Sequence, residues 1–158
     1  AEVLASQGAD ITPAHIKDGL FSVKWEGRLQ VLRRDPWVVV DGAHNADSMQ
    51  KLGHALKAHF SYDRLTLVLG FGNDKDLAGM MDEAVRFTDN VVIVASKHPR
   101  SVPAAELAAG FAKRGIVPVV ADTVPAAMKI ALKNATPEDL ICAAGSVFVI
   151  AEVLEEMG

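Results

Sequence analysis

The chain has 158 residues and is short of several things that define whole classes of protein. It has one cysteine, Cys142, set in the apolar run Leu140-Ile141-Cys142-Ala143-Ala144. That excludes an intramolecular disulfide, leaves the thiol to pack as a small hydrophobe and suits a reducing cytoplasm. There is no cationic excess: 16 Lys and Arg stand against 20 Asp and Glu, for a net charge of -4. Without a broad positive field, a nucleic-acid backbone is a poor partner, and any anion must be held locally. No apolar run approaches the ~20 residues that span a bilayer. The first residues, with Glu2 and Asp10, lack the basic flank of a signal peptide. No Gly-Lys dipeptide occurs, so there is no P-loop, and Gly70-Phe71-Gly72 lacks the third glycine of a dinucleotide fingerprint. A Gly-x-Ser-x-Gly nucleophile elbow is absent. His15, His54 and His59 are scattered on predicted helices with no second ligand at metal-binding spacing, so no metal site is expected. There are no repeats and no low-complexity tracts.

What is present is a rhythm. Half of the residues are hydrophobic, enough for one core in a domain that buries roughly 70% of its unfolded surface. From Pro36 onward, short β-branched runs alternate with longer amphipathic stretches, the pattern of βαβ units around a parallel sheet. Strands are expected at residues 37–41, 65–70, 91–95, 117–121 and 139–143, nearly continuous in Val, Ile, Leu and Ala, as strands covered on both faces are. Helices are expected at 46–59, 76–87, 103–114, 123–134 and 146–157, with Met49, Leu52, Leu56 and Phe60 as one apolar stripe and Val147, Ile150, Ala151 and Leu154 as another core stripe. Gly115, Pro103 and Thr123-Val124-Pro125 supply stops and starts. The fold class is therefore α/β: an open, mostly parallel, Rossmann-like sheet with helices on both faces. Residues 13–21 read as a short helix outside this rhythm. Residues 28–34 alternate like an exposed strand and predict an antiparallel edge hairpin turning at Asp35-Pro36.

In such a sheet, ligands sit beyond the carboxyl ends of the strands, where helix N-termini point free N–H groups outward. Every predicted strand ends there in polar residues. Asp41 stands at a strand tip, where its carboxylate can accept two hydroxyls, as a ribose offers, or bond backbone amides. Gly42 permits the tight turn. His44 and Asn45 open the next helix, placed for an anion or a transferring phosphoryl group, or, for Asn45, simply to cap the helix. Lys75, between Asp74 and Asp76, can bind a substrate carboxylate or form a solvated local ion pair. Arg100, in Lys97-His98-Pro99-Arg100, offers a bidentate fork to a carboxylate, though surface turns are often cationic. Ser146, after Gly145, can donate to a carboxylate or act as an ordinary cap.

In order along the chain, Trp25-Glu26-Gly27-Arg28-Leu29, Val38-Val39-Val40-Asp41-Gly42-Ala43-His44-Asn45, Asp74-Lys75-Asp76, His98-Pro99-Arg100 and Gly145-Ser146 resemble the bifunctional dihydrofolate synthase/folylpolyglutamate synthase family of the Mur ligase superfamily. The similarity covers essentially the whole chain. Gly42 in place of the Tyr of Asp-Tyr-Ala-His-Asn-Pro points to the folate branch over the peptidoglycan branch, and Ala46 stands where Pro often follows Asn. The resemblance implies an enzyme that joins a folate or dihydropteroate carboxylate to L-glutamate, using ATP and Mg²⁺ to form an acyl phosphate. It implies nucleotide contacts by Arg28 and Asp41, with Asn45 beside them, and a catalytic place for His44 near the phosphates and the attacking amine. Lys75, Arg100 and Ser146 would face the glutamate carboxylates.

The resemblance also implies a division of labour. Residues 1–24 resemble the tail of a preceding ATPase domain that would carry the P-loop and most metal ligands, and residues 25–158 resemble the C-terminal, amino-acid-binding domain. The chain would then be a piece of a longer protein and inactive alone, since a positioned triphosphate needs several amides and cations together. Two other readings use the same residues: the C-terminal domain of another Mur-type amino-acid ligase, and a non-catalytic α/β module that binds a small anion.

Overall fold

A computed structural model describes residues 1–23 and 25–157. Lys24 and Gly158, the last residues of the two expected segments, lie outside the described residues. The elements run α1 (Glu2–Ser6), α2 (Pro13–Ser22), β1 (Gln30–Arg33), β2 (Trp37–Val40), α3 (Ala46–His59), β3 (Leu65–Leu69), α4 (Leu77–Ala84), β4 (Asn90–Val94), α5 (Ala104–Ala112), β5 (Val119–Ala121), α6 (Val124–Lys133), β6 (Leu140–Ala144) and α7 (Val147–Met157). Six strands form one sheet in the order β1-β2-β6-β3-β4-β5. The β1–β2 pair is antiparallel and every other pair is parallel. This is the expected open α/β sheet with its antiparallel edge strand.

The strand composition follows from which face each side chain meets. Successive residues point to opposite faces. Val39, Leu67, Leu69, Ile93 and Cys142 join one core with Leu52 and Leu56 of α3, Met80 of α4 and Phe111 of α5. Val38, Val40, Val68, Val94 and Ile141 join a second core with Met128 of α6 and Val149 and Val153 of α7. With helices on both faces, all five residues of β6 are buried. Cys142 lies at its centre, where burial, aided by the charge of Asp41, pushes the thiol far above the ordinary cysteine range.

Several boundaries differ from the sequence expectation for local reasons. The strand expected at 117–121 pairs only over Val119–Ala121, because Pro118 has no N–H to give the ladder. The helix expected to reach residue 87 ends at Ala84: Arg86 and Phe87 donate instead to the carbonyls of Glu83 and Ala84, tightening the last turn. Pro103 sits immediately before α5 rather than within its first turn. Helix α1 was not expected, and neither α1 nor α2 buries a residue.

The stripe on α7 is the instructive correction. The buried residues of that helix are Val149, Ile150 and Val153, whereas Val147 is 54% exposed and Ala151 is exposed as well. The helix is apolar over two overlapping stripes, and the sheet takes one of them. Ile150 joins the second core and Leu154 packs against it as expected, but Val147 and Ala151 do not, and all four wall a cleft.

Candidate functional site

At the carboxyl edge of the central strands, the loops after β2, β3, β4 and β6 converge. His44, Gly72, Asp74, Lys75, Arg100, Gly145, Ser146, Val147 and Phe148 line a cleft of about 250 Å³. Four of the residues singled out in the sequence, His44, Lys75, Arg100 and Ser146, therefore share one cavity although they come from four different loops. A second, shallower cleft of about 210 Å³ lies beside it, lined by Trp25, Glu26, Gly27, Arg28 and Gly42 and by the outer stripe of α7. Val147 lines both clefts, so they are neighbours across one side chain.

Each placement has a local cause. The Asp41 carboxylate accepts the Leu29 N–H through Oδ2 at 2.8 Å and the Ala43 N–H through Oδ1 at 2.9 Å. It thereby ties the Arg28 turn to the end of β2. Each oxygen uses one acceptor site and keeps another. Arg28 stretches across Gly42, where a Cβ would collide with its guanidinium, so glycine at 42 lets the cation lie flat against the backbone. Its guanidinium also stands 5.9 Å from the Trp25 ring. Among the described residues no carboxylate pairs with Arg28. Asn45 caps α3, its Oδ1 accepting the Ser48 N–H at 2.8 Å while Ser48 Oγ accepts the Asn45 N–H at 3.1 Å. Its amide nitrogen remains available on an exposed residue.

His44 is held by its ring. Nδ1 lies 2.7 Å from the Gly42 carbonyl oxygen, which can only accept, so Nδ1 carries the proton and Nε2 is left with its lone pair in the neutral ring. Lys75 Nζ donates to Asp74 Oδ2 at 2.6 Å. That hydrogen bond, with the charges of Lys75 and Arg100 adding to it, holds the Asp74 carboxyl below the usual range. Two cations against one anion leave this wall positive. Ser146 is buried, and its Oγ accepts the Phe148 N–H at 3.2 Å, which leaves its hydroxyl hydrogen to donate. Gly145, at φ +97°, has no space for a side chain: a Cβ would stand 2.7 Å from the Gly70 carbonyl oxygen and 2.5 Å from the Phe71 ring. Glycine there sets Ser146 at the mouth of the cleft. Asp122 and Thr123, after β5, take no part, and Thr123 caps α6 by accepting the Ala126 N–H.

Two residues that sequence reasoning left without a role also belong here. The rings of His98 and Phe148 stack with centroids 3.6 Å apart at 9°, and the Arg100 guanidinium stands 5.9 Å from the Phe148 ring. His98 Nδ1 accepts the backbone N–H of Arg100 at 3.1 Å. Only the charged tetrapeptide around His98 hinted at this, and nothing local marks Phe148.

Comparison with known proteins gives this geometry a context. Residues 27–147 match the family described as "Mur ligase, glutamate ligase domain". The chain is 39% identical over 153 residues, 96% of its length, to a probable bifunctional folylpolyglutamate synthase/dihydropteroate synthase of Halobacterium salinarum, of which it spans 18%. It is 32% identical over 159 residues to the folylpolyglutamate synthase of Lacticaseibacillus casei, covering 99% of this chain and 36% of that one. Among solved structures, Escherichia coli FolC in complex with ADP superposes with a TM-score of 0.87 at 28% identity, over 97% of this chain and 36% of that one. The chain thus spans about a third or less of these relatives. It belongs to the family of Mur ligase glutamate ligase domains, in the form found at the C-terminus of folylpolyglutamate and dihydrofolate synthases.

Proposed function

We propose that this chain is the amino-acid-binding part of a cytoplasmic, ATP-dependent carboxylate–amine ligase that adds L-glutamate to a folate or dihydropteroate carboxylate through an acyl phosphate. The observation that carries the reading is the cleft that gathers His44, Lys75, Arg100 and Ser146. Lys75 and Arg100 bring two cations to an amino acid with two carboxylates, and the Ser146 hydroxyl adds a donor. The third polar group of glutamate, its ammonium, must lose a proton before the nitrogen can attack. The free lone pair on His44 Nε2 is the acceptor positioned for that proton.

The neighbouring cleft suits a nucleotide. Arg28 offers an unpaired guanidinium to phosphate, Asp41 keeps acceptor capacity for ribose hydroxyls, and the Asn45 amide can donate nearby. The outer stripe of α7 and Trp25 give an apolar wall for a flat base. When bound, ATP supplies the phosphoryl group that activates the acceptor carboxylate. That Val147 lines both clefts supports a reading in which the two sites are neighbours. Mg²⁺ would take its ligands mainly from a preceding P-loop ATPase domain; among the described residues of this chain, no group of three or more His, Cys, Asp or Glu is arranged to hold a metal ion.

Residues 1–24 would be the tail of that ATPase domain. Helix α2 buries nothing, and Leu20, Phe21, Val23 and Trp25 stand exposed, Phe21 at 91%. A face of this kind is suited to cover by another domain. No helix among the described residues is long and apolar enough to cross a membrane.

The test is ATP-dependent addition of radiolabelled L-glutamate by the full-length protein. Folates, dihydropteroate and nucleotide-linked peptidoglycan precursors are offered in parallel. Arg28→Ala is expected to raise the KM for ATP about tenfold, the loss of one charge-assisted hydrogen bond. Turnover of nucleotide-linked precursors alone would move the chain to another Mur-type ligase. Binding of small anions with no ATP-dependent ligation would make it a non-catalytic module.

A further inference from the structure

We infer that His98 and Phe148 are positioning residues that hold Arg100 in place at the cleft, one fixing its backbone and the other its guanidinium. The inference rests on the reading of the cleft as an acidic amino-acid site. An arginine on an exposed loop loses side-chain entropy when it grips a carboxylate, and that loss weakens binding unless the side chain is already held. Arg100 is exposed, and no carboxylate pairs with it among the described residues. What holds it is a set of contacts from three directions.

The backbone comes first. Arg100 donates its N–H to His98 Nδ1 at 3.1 Å, while its carbonyl accepts the Asn73 N–H at 2.9 Å from the Lys75 loop. The next residue, Ser101, bridges to Gly72, so the loops bearing the two cations are stitched together. Then comes the side chain, with the guanidinium standing 5.9 Å from the Phe148 ring, at the range of a cation–π contact. His98 stacks on Phe148 at 3.6 Å, and the neighbouring Lys97 N–H donates to Glu152 Oε1 on α7 at 2.7 Å. The imidazole thus serves twice, as acceptor for the Arg100 amide and as a partner for the Phe148 ring. It can do so only with Nδ1 unprotonated, so its proton sits on Nε2, the opposite tautomer from His44.

Phe148 also follows Ser146 closely and donates its N–H to the Ser146 Oγ. One aromatic residue at the start of α7 therefore links two of the three groups proposed to meet the substrate carboxylates. Neither His98 nor Phe148 need touch the substrate.

The experiment measures KM and kcat of the full-length protein for L-glutamate and ATP. Arg100→Ala is expected to raise the KM for L-glutamate about tenfold. His98→Ala should raise it about threefold to fivefold, the size of one hydrogen bond and a weakened cation–π contact, with kcat, the KM for ATP and Tm unchanged. His98→Asn, whose Oδ1 can replace Nδ1 as acceptor, should recover part of the loss, and Phe148→Leu should resemble His98→Ala. Adding His98→Ala to Arg100→Ala should cost nothing further. Equal losses in both backgrounds, or an unchanged KM in His98→Ala alone, would overturn the inference. If Arg100→Ala itself leaves the KM for L-glutamate unchanged, the amino-acid reading of the cleft is what fails. The positioning is then judged on this chain by ¹⁵N NMR, without substrate. A protonated Nδ1 on His98, an Arg100 amide unmoved by His98→Ala, or an Arg100 Nε signal unmoved by Phe148→Leu, would refute it.

Discussion

At the amino edge of the sheet, Arg64 and Asp139 meet at 2.6 Å, with their side chains 44% and 5% exposed. At the carboxyl edge, Lys75 and Asp74 meet at the same 2.6 Å, with their side chains 32% and 46% exposed. The first pair is tied into the backbone around it. Arg64 donates also to the Asn134 carbonyl, and Asp139 Oδ2 accepts the Thr136 N–H. The neighbouring backbone joins in, with the Trp37 N–H on the Asp139 carbonyl and the Leu140 N–H on the Arg64 carbonyl. Burial works hardest on Asp139 and opposes its charge, but the Thr136 and Arg64 hydrogen bonds outweigh it and hold the carboxyl below the usual range. The second pair is a loose one beside a further cation, Arg100, with donors to spare. Equal distances thus conceal different surroundings: a closed network ties together the starts of β3 and β6, and an open one after β3 keeps donors free.

That contrast can be broken or sharpened by substitution at each edge. The largest effect is expected at the open edge, where His44→Ala in the full-length protein should lower kcat by about 10²–10⁴ if its Nε2 takes the amine proton. The circular dichroism spectrum should not change. At the closed edge, Asp139→Ala should cost about 2 kcal/mol of stability by chemical denaturation, because it leaves the Thr136 amide without its acceptor and Arg64 without its carboxylate. Its KM for L-glutamate should be that of the wild type. A smaller effect is set by pH. The Asp139 carboxyl is lowered on folding, so its contribution is complete above the ordinary aspartate value near pH ~4 and fades as pH falls through its folded value. Melting curves of the wild type should therefore converge on those of Asp139→Asn as the solution is acidified below that point. The smallest is a null effect: Cys142, buried at the centre of β6 with its thiol pushed up, should resist alkylation in the native protein and react only on unfolding.

The fold was legible because parallel strands covered on both faces are nearly pure Val, Ile, Leu and Ala, and because Asn45, Asp76 and Thr123 each cap the helix that follows. The six-strand order was not, since nothing local tells β6 to enter between β2 and β3. Much of the candidate site was visible as polar residues at strand ends. That four of them share a cavity depends on strand order and had to come from the structure. The Arg64–Asp139 network was invisible for the same reason, its partners being 75 residues apart. The half of the α7 stripe that stays out of the core, Val147 and Ala151, has a different cause. Helical periodicity finds every apolar stripe, but it does not say which faces a core and which a ligand.

The central claim, that the open edge is the glutamate site, is tested most directly by the KM for L-glutamate of Lys75→Ala in the full-length protein. Loss of a charge-assisted contact to a substrate carboxylate predicts a rise of about 10-fold or more, with the KM for ATP and the melting temperature unmoved. An unchanged KM for L-glutamate would contradict it and return Lys75 to a local ion pair with Asp74.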